Sequence, residues 1–77
     1  MRIVYTPHAL KRLQKRGISK EQLEKTLAEP EITLPTQNPR RGRVKKKFGD
    51  KYLDVIFERR PNYTLIITVA WPERKEK

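Results

Sequence analysis

The stretch RVKKKFGDKYLDVIFER, residues 43–59, decides how this chain folds. Two alternating runs, residues 43–48 and 51–59, flank Gly49 and Asp50, a pair that suits a two-residue hairpin loop. Such a loop fixes the register. Phe48 then faces Lys51, Lys46 faces Leu53 and Val44 faces Val55, while Lys47 faces Tyr52, Lys45 faces Asp54 and Arg43 faces Ile56. One side of the ribbon collects Val44, Phe48, Leu53, Val55 and Phe57, which is a credible core. The other collects Arg43, Lys45, Lys47, Tyr52, Asp54 and Glu58. A slip of one residue would bury the cations, so alternation itself holds this pairing. Lys46 falls on the core side and is expected at its rim, with its stem packed.

Working outward, Arg60, Pro61 and Asn62 mark a turn, and residues 63–71 read as the last strand. An odd-length loop there puts Leu65, Ile67, Val69 and Trp71 on the core side. Upstream, Ile32 and Leu34 alternate with Glu31 and Thr33 as a short strand, and residues 35–42 form a loop closed by Arg40 and Arg41. Two helices precede it. Thr6 is placed to cap the first and Pro7 to open it; Gly17 supplies the left-handed stop, and Ala9, Leu10 and Leu13 form its buried face. Ser19 and Gln22 make a capping box for the second, with Ile18 and Leu23 as its hydrophobic staple, Leu27 on the same face as Leu23, and Pro30 as its terminator. Residues 2–5 are a first or edge strand. The expected fold is therefore a single α+β domain over residues 1–77, two short N-terminal helices packed on an antiparallel, meander-rich sheet.

Composition narrows the function classes. There is no cysteine, so disulfide staples and thiolate metal sites are excluded, and the single His8 has no carboxylate helpers at ligand spacing. No metal or cofactor is expected. The longest apolar run, Leu65 to Ile67, is far too short for a bilayer span, and residues 1–5 lack a signal-peptide pattern, so a cytoplasmic protein without a membrane partner is expected. Nineteen Lys and Arg stand against nine Asp and Glu, a formal charge of +10. A solubility device would mix both signs. Here Arg40, Arg41 and Arg43 run into Lys45, Lys46 and Lys47 with no acid among them, which points to a polyanion, RNA ahead of DNA.

Two constellations carry candidate chemistry. His8, Arg12 and Arg16 are four residues apart on a helix, a histidine beside two guanidinium groups whose forks match phosphate oxygens. Histidine is the residue type that titrates near neutrality, so His8 is either an acid/base for RNA cleavage or a structural residue at a helix start. The second set is Arg40, Arg41, Arg43, Lys45, Lys47 and Tyr52. Tyr52 either stacks on a base or is a cross-strand packing residue. Arg59, Arg60 and Arg74 read as rim charges, and Trp71 as a packing residue more than a stacking platform.

The segment His8-Ala9-Leu10-x-Arg12-x-x-x-Arg16-Gly17-Ile18-Ser19, a helix ending near Glu29 and Pro30, and a later Gly42, Gly49, Val55 meander resemble the RelE/ParE-like toxin superfamily, and more closely a small family distantly grouped with it. That resemblance implies a basic sheet surface that cuts or binds RNA, usually on the ribosome, without metal. It also implies an acidic antitoxin that covers the surface. Ribonucleases of that superfamily tend to carry a tyrosine near the end of the last strand, where this chain has Trp71–Pro72–Glu73–Arg74, and they usually lack a histidine at the place of His8. The alternatives are a non-catalytic RNA- or ribosome-binding module and a protein-interaction domain paired with an antitoxin.

Overall fold

The computed structural model describes residues 2–71. The chain runs β1 (Ile3–Tyr5), α1 (Pro7–Arg16), α2 (Lys20–Ala28), β2 (Ile32–Leu34), β3 (Arg41–Phe48), β4 (Lys51–Arg59) and β5 (Thr64–Ala70). Local signals set the helices. The Thr6 hydroxyl accepts from the Ala9 amide at 3.1 Å, and Gly17 ends α1 at φ 66°. In α2 both halves of the capping box form: the Gln22 amide donates to Ser19 Oγ at 3.0 Å, and the Ser19 amide donates to Gln22 Oε1 at 3.1 Å. A box of this kind stabilises a helix start by about 1 kcal/mol.

The β3–β4 hairpin has the register expected of a two-residue loop, from Phe48 opposite Lys51 to Arg43 opposite Ile56. Gly49 sits at φ 68°, while no non-glycine residue described has positive φ. Positive then negative φ across Gly49 and Asp50 is the sign pattern of a type II′ turn, whose twist matches that of the flanking strands.

Three features depart from the sequence reading. The sheet is mixed: its order is β1-β5-β4-β3-β2, and β1 lies parallel to β5. The direction of β1 follows from the parity of the meander and from which edge it reaches; nothing within residues 2–5 encodes it. Second, β5 carries an irregularity. Ile56 pairs with Thr68 but Phe57 pairs with Ile66, so Ile67 is an extra residue and the alternation changes phase there. Ile66 and Val69 therefore both reach the core, and Leu65 falls on the opposite face with Glu58. Third, Leu10 is 37% exposed, leaving Ala9 and Leu13 as the buried residues of α1.

The core lies between the helices and one sheet face. Ala9 and Leu13 from α1, Ile18 from the interhelical turn and Leu23 from α2 pack with Val44, Leu53, Val55, Ile66 and Val69. Phe48, Phe57 and Trp71 close its margins, with Trp71 edge-on to Phe48 at 6.2 Å between centroids. Gly42 is buried beneath the ring of its register partner Phe57, and a Cβ there would collide with that ring. Lys46 lies at the rim of this face, as alternation requires. Its Nζ donates to the carbonyl of Glu29 at 3.0 Å, so a sheet lysine caps the C-terminal end of α2, where the helix dipole favours a cation.

Candidate nucleic-acid interface

Both helices occupy one face, so the opposite face of the sheet carries the other set of side chains. Register partners share a face. One row across it is Thr68, Ile56, Arg43 and Leu34; the next is Ala70, Asp54, Lys45 and Ile32; Tyr52 and Lys47 stand side by side beyond. Arg41 joins this face as well. β3 begins at Arg41, two residues earlier than the alternation from Val44 suggests, which takes Arg41 out of the loop and sets it opposite Glu58.

Several of these cations are already engaged. Arg43 grips Asp54 with two bonds, Nε donating to Oδ1 at 3.1 Å and a terminal nitrogen donating to Oδ2 at 2.6 Å. Asp54 is only 8% exposed. The hydrogen bonds first, and the carboxylate charge second, raise the guanidinium further above its ordinary value. Arg41 lies 3.8 Å from Glu58, which Arg60 also approaches at 3.2 Å. Arg41 and Arg43 border a depression of about 360 Å³ beside residues 35–38. Arg40 is exposed in the loop, its amide tied to Asn38 Oδ1 at 2.9 Å. Lys47 and Tyr52 are exposed and Lys45 is half-buried. Arg59 lies over the ring of Phe57 at 5.2 Å; Arg74 lies outside the described residues.

The helical set is arranged differently. His8, Lys11, Arg12, Lys15 and Arg16 line one open depression of about 620 Å³ along α1. They occupy positions i, i+3, i+4, i+7 and i+8, which share one side of a helix. α1 contains no acidic residue, and among the described residues none of the five enters an ion pair. His8 is exposed in the first turn, one turn from Arg12. Like charges at this spacing repel by a few tenths of a kcal/mol per pair. The fold tolerates this because His8, Lys11, Lys15 and Arg16 are exposed and Arg12 is half-buried, while the buried Ala9 and Leu13 hold the helix to the core.

The structure thus keeps His8, Arg12 and Arg16 together, and keeps Arg43, Lys45, Lys47 and Tyr52 together, but it does not join the two sets. α1 packs on the helix-covered face and the second set projects from the other. Sequence reasoning missed two members of the first set. Lys11 and Lys15 lie three and seven residues from His8, and the i+3 neighbours of a helical stripe were the signal that could have found them. It also missed that Asp54 belongs to Arg43, a diagonal neighbour, in place of Lys45 directly opposite.

Among the described residues no group of three or more His, Asp and Glu side chains could hold a metal ion, and no helix is long and apolar enough to cross a membrane. Fold and surface define a small, strongly basic α+β domain with helices on one face of a mixed five-stranded sheet. Residues 5–71 match the family described as Domain of unknown function (DUF4258), and the chain belongs to that family. No curated protein and no solved structure matches it.

Proposed function

We propose that this chain is an RNA-interacting domain whose primary contact surface is the basic side of α1. The observation that carries this reading is the groove of His8, Lys11, Arg12, Lys15 and Arg16, which among the described residues has no carboxylate in its lining and no ion pair to quench it. Uncompensated cations lining one groove are what a polyanion requires, and each phosphate they neutralise releases counterions. Lys45, Lys47 and Tyr52 form a second, weaker surface on the far side of the sheet, with Arg40 beside it in the loop. Arg41 and Arg43, held by carboxylates, contribute to its shape more than to its free charge.

The resemblance of its sequence to RelE/ParE-like toxins extends this proposal to metal-independent cleavage of RNA, on or off the ribosome, and to an acidic antitoxin competing for the same cations. In that scheme His8 moves the proton of the 2′-hydroxyl or of the leaving oxygen, and Arg12 or Arg16 holds the charge that builds on the phosphorus. Incubating the purified protein with RNA in EDTA across a salt series tests both levels. Cleavage that survives the chelator and is lost in His8→Ala supports the ribonuclease. Salt-sensitive binding without cleavage supports the non-catalytic module. An affinity that stays flat with salt contradicts the electrostatic premise behind both.

A further inference from the structure

Four of the five side chains lining the α1 groove are donors only. Lysine and arginine side chains have no acceptor, and His8 is the sole ring among the five lining residues. Its lysines and arginines cannot accept from the amino groups of adenine or cytosine, and the single ring of His8 is no platform on which successive bases could stack. What it can hold is phosphate oxygen. The pitch agrees: with a rise of ~1.5 Å per residue, side chains four apart are ~6 Å apart along the axis. That is comparable to the separation of successive phosphates on one strand. The groove presents two rows at this pitch, His8–Arg12–Arg16 and Lys11–Lys15.

Resting on the RNA reading above, we infer that α1 is a phosphodiester track, binding the backbone of one RNA strand without regard to sequence, and that Lys11 and Lys15 are phosphate ligands alongside Arg12 and Arg16. Base discrimination, where the protein has any, then comes from elsewhere. The set with Tyr52, Lys45 and Lys47 across the sheet includes an exposed tyrosine ring.

The test uses the full chain and labelled 12-nucleotide single-stranded RNAs, oligo(U), oligo(A) and a mixed sequence containing guanine, with anisotropy recorded from low to moderate salt. Lys11→Gln/Lys15→Gln is compared with Lys25→Gln/Lys51→Gln, which removes the same charge from exposed residues outside the groove. Removing two phosphate contacts is expected to flatten the plot of log affinity against log salt by about 1.4 on a single strand, and to weaken binding equally for all three RNAs. The control pair is expected to change the slope by less than half as much. Equal effects of the two double variants, or a guanine preference that disappears in Arg12→Gln, overturns the backbone track while leaving RNA binding intact. No binding by the parent chain overturns the RNA reading itself, and the track with it.

Discussion

The cations of α1 and those of β3 look alike in the sequence, but the fold gives them different surroundings. On β3, Arg41 and Arg43 meet Glu58 and Asp54 across the hairpin, and Lys46 meets Glu31 and the end of α2. On α1, none of Lys11, Arg12, Lys15 and Arg16 pairs with a carboxylate among the described residues. A strand is flanked by neighbours about 5 Å away, so a carboxylate two residues out of register is within reach. The outer side of a surface helix has no such neighbour. Charge density along the sequence therefore overstates the sheet and understates the helix. The contrast with α2 makes the same point, since Glu21 and Glu24 balance Lys20 and Lys25 there within one helix of similar length.

Reversing charge separates the two regions most strongly. Lys11→Glu/Lys15→Glu is expected to weaken RNA binding roughly 100-fold at moderate salt, because it both removes and repels phosphate. The matched Lys45→Glu/Lys47→Glu variant is expected to stay within about 10-fold of the parent; anisotropy titrations read both, and equal losses would erase the distinction. Arg43→Ala is the next largest effect, and it falls on stability. It leaves the Asp54 carboxylate nearly buried and unpaired, a destabilisation of about 2 kcal/mol in urea unfolding, discounted because the guanidinium itself is partly in water. RNA affinity is expected to change less than threefold.

Asp54→Asn sharpens the comparison from the other side. It releases the guanidinium of Arg43 at a loss of about 1 kcal/mol in stability. If pairing is what withholds Arg43 from a polyanion, RNA affinity rises severalfold; an unchanged affinity would show that geometry, not neutralisation, keeps it out of contact.

The smallest effect concerns Tyr5, whose hydroxyl is buried without a hydrogen-bond partner, the only such side-chain atom among the described residues. Burial, and secondarily Glu24, raise its phenol above the ordinary 10.0. The unfolded chain then loses this proton first, so Tyr5 favours the fold fully below about pH 10 and progressively less as pH rises through the folded value. Tyr5→Phe is expected to be neutral or stabilising by up to about 1 kcal/mol at neutral pH and to flatten the alkaline fall in stability. Chemical unfolding at several pH values checks it, and a destabilised variant would reveal a partner for the hydroxyl.

What was legible in the sequence was local. Thr6, Gly17, Ser19 with Gln22, and Gly49–Asp50 each act over a few residues, so caps, turns and the hairpin register follow from neighbours alone. The parallel pairing of β1 with β5 joins residues about sixty apart, and the extra residue at Ile67 shifts β5 without any glycine or proline to announce it. Hence Ile66 replaced Leu65 in the core. The site divided in the same way. The His8, Arg12 and Arg16 stripe was visible because helical spacing is local, although restricting it to four-residue steps left out Lys11 and Lys15. The neutralisation of Arg43 was hidden because it depends on how far a side chain reaches diagonally across two strands.

Whether RNA meets the helix or the sheet can be seen directly in the amide spectrum of the ¹⁵N-labelled protein during titration with oligo(U). Shift changes concentrated on residues 8–16, with residues 43–54 largely still, are the predicted result. Changes centred on β3 and β4 with α1 unmoved would contradict the account.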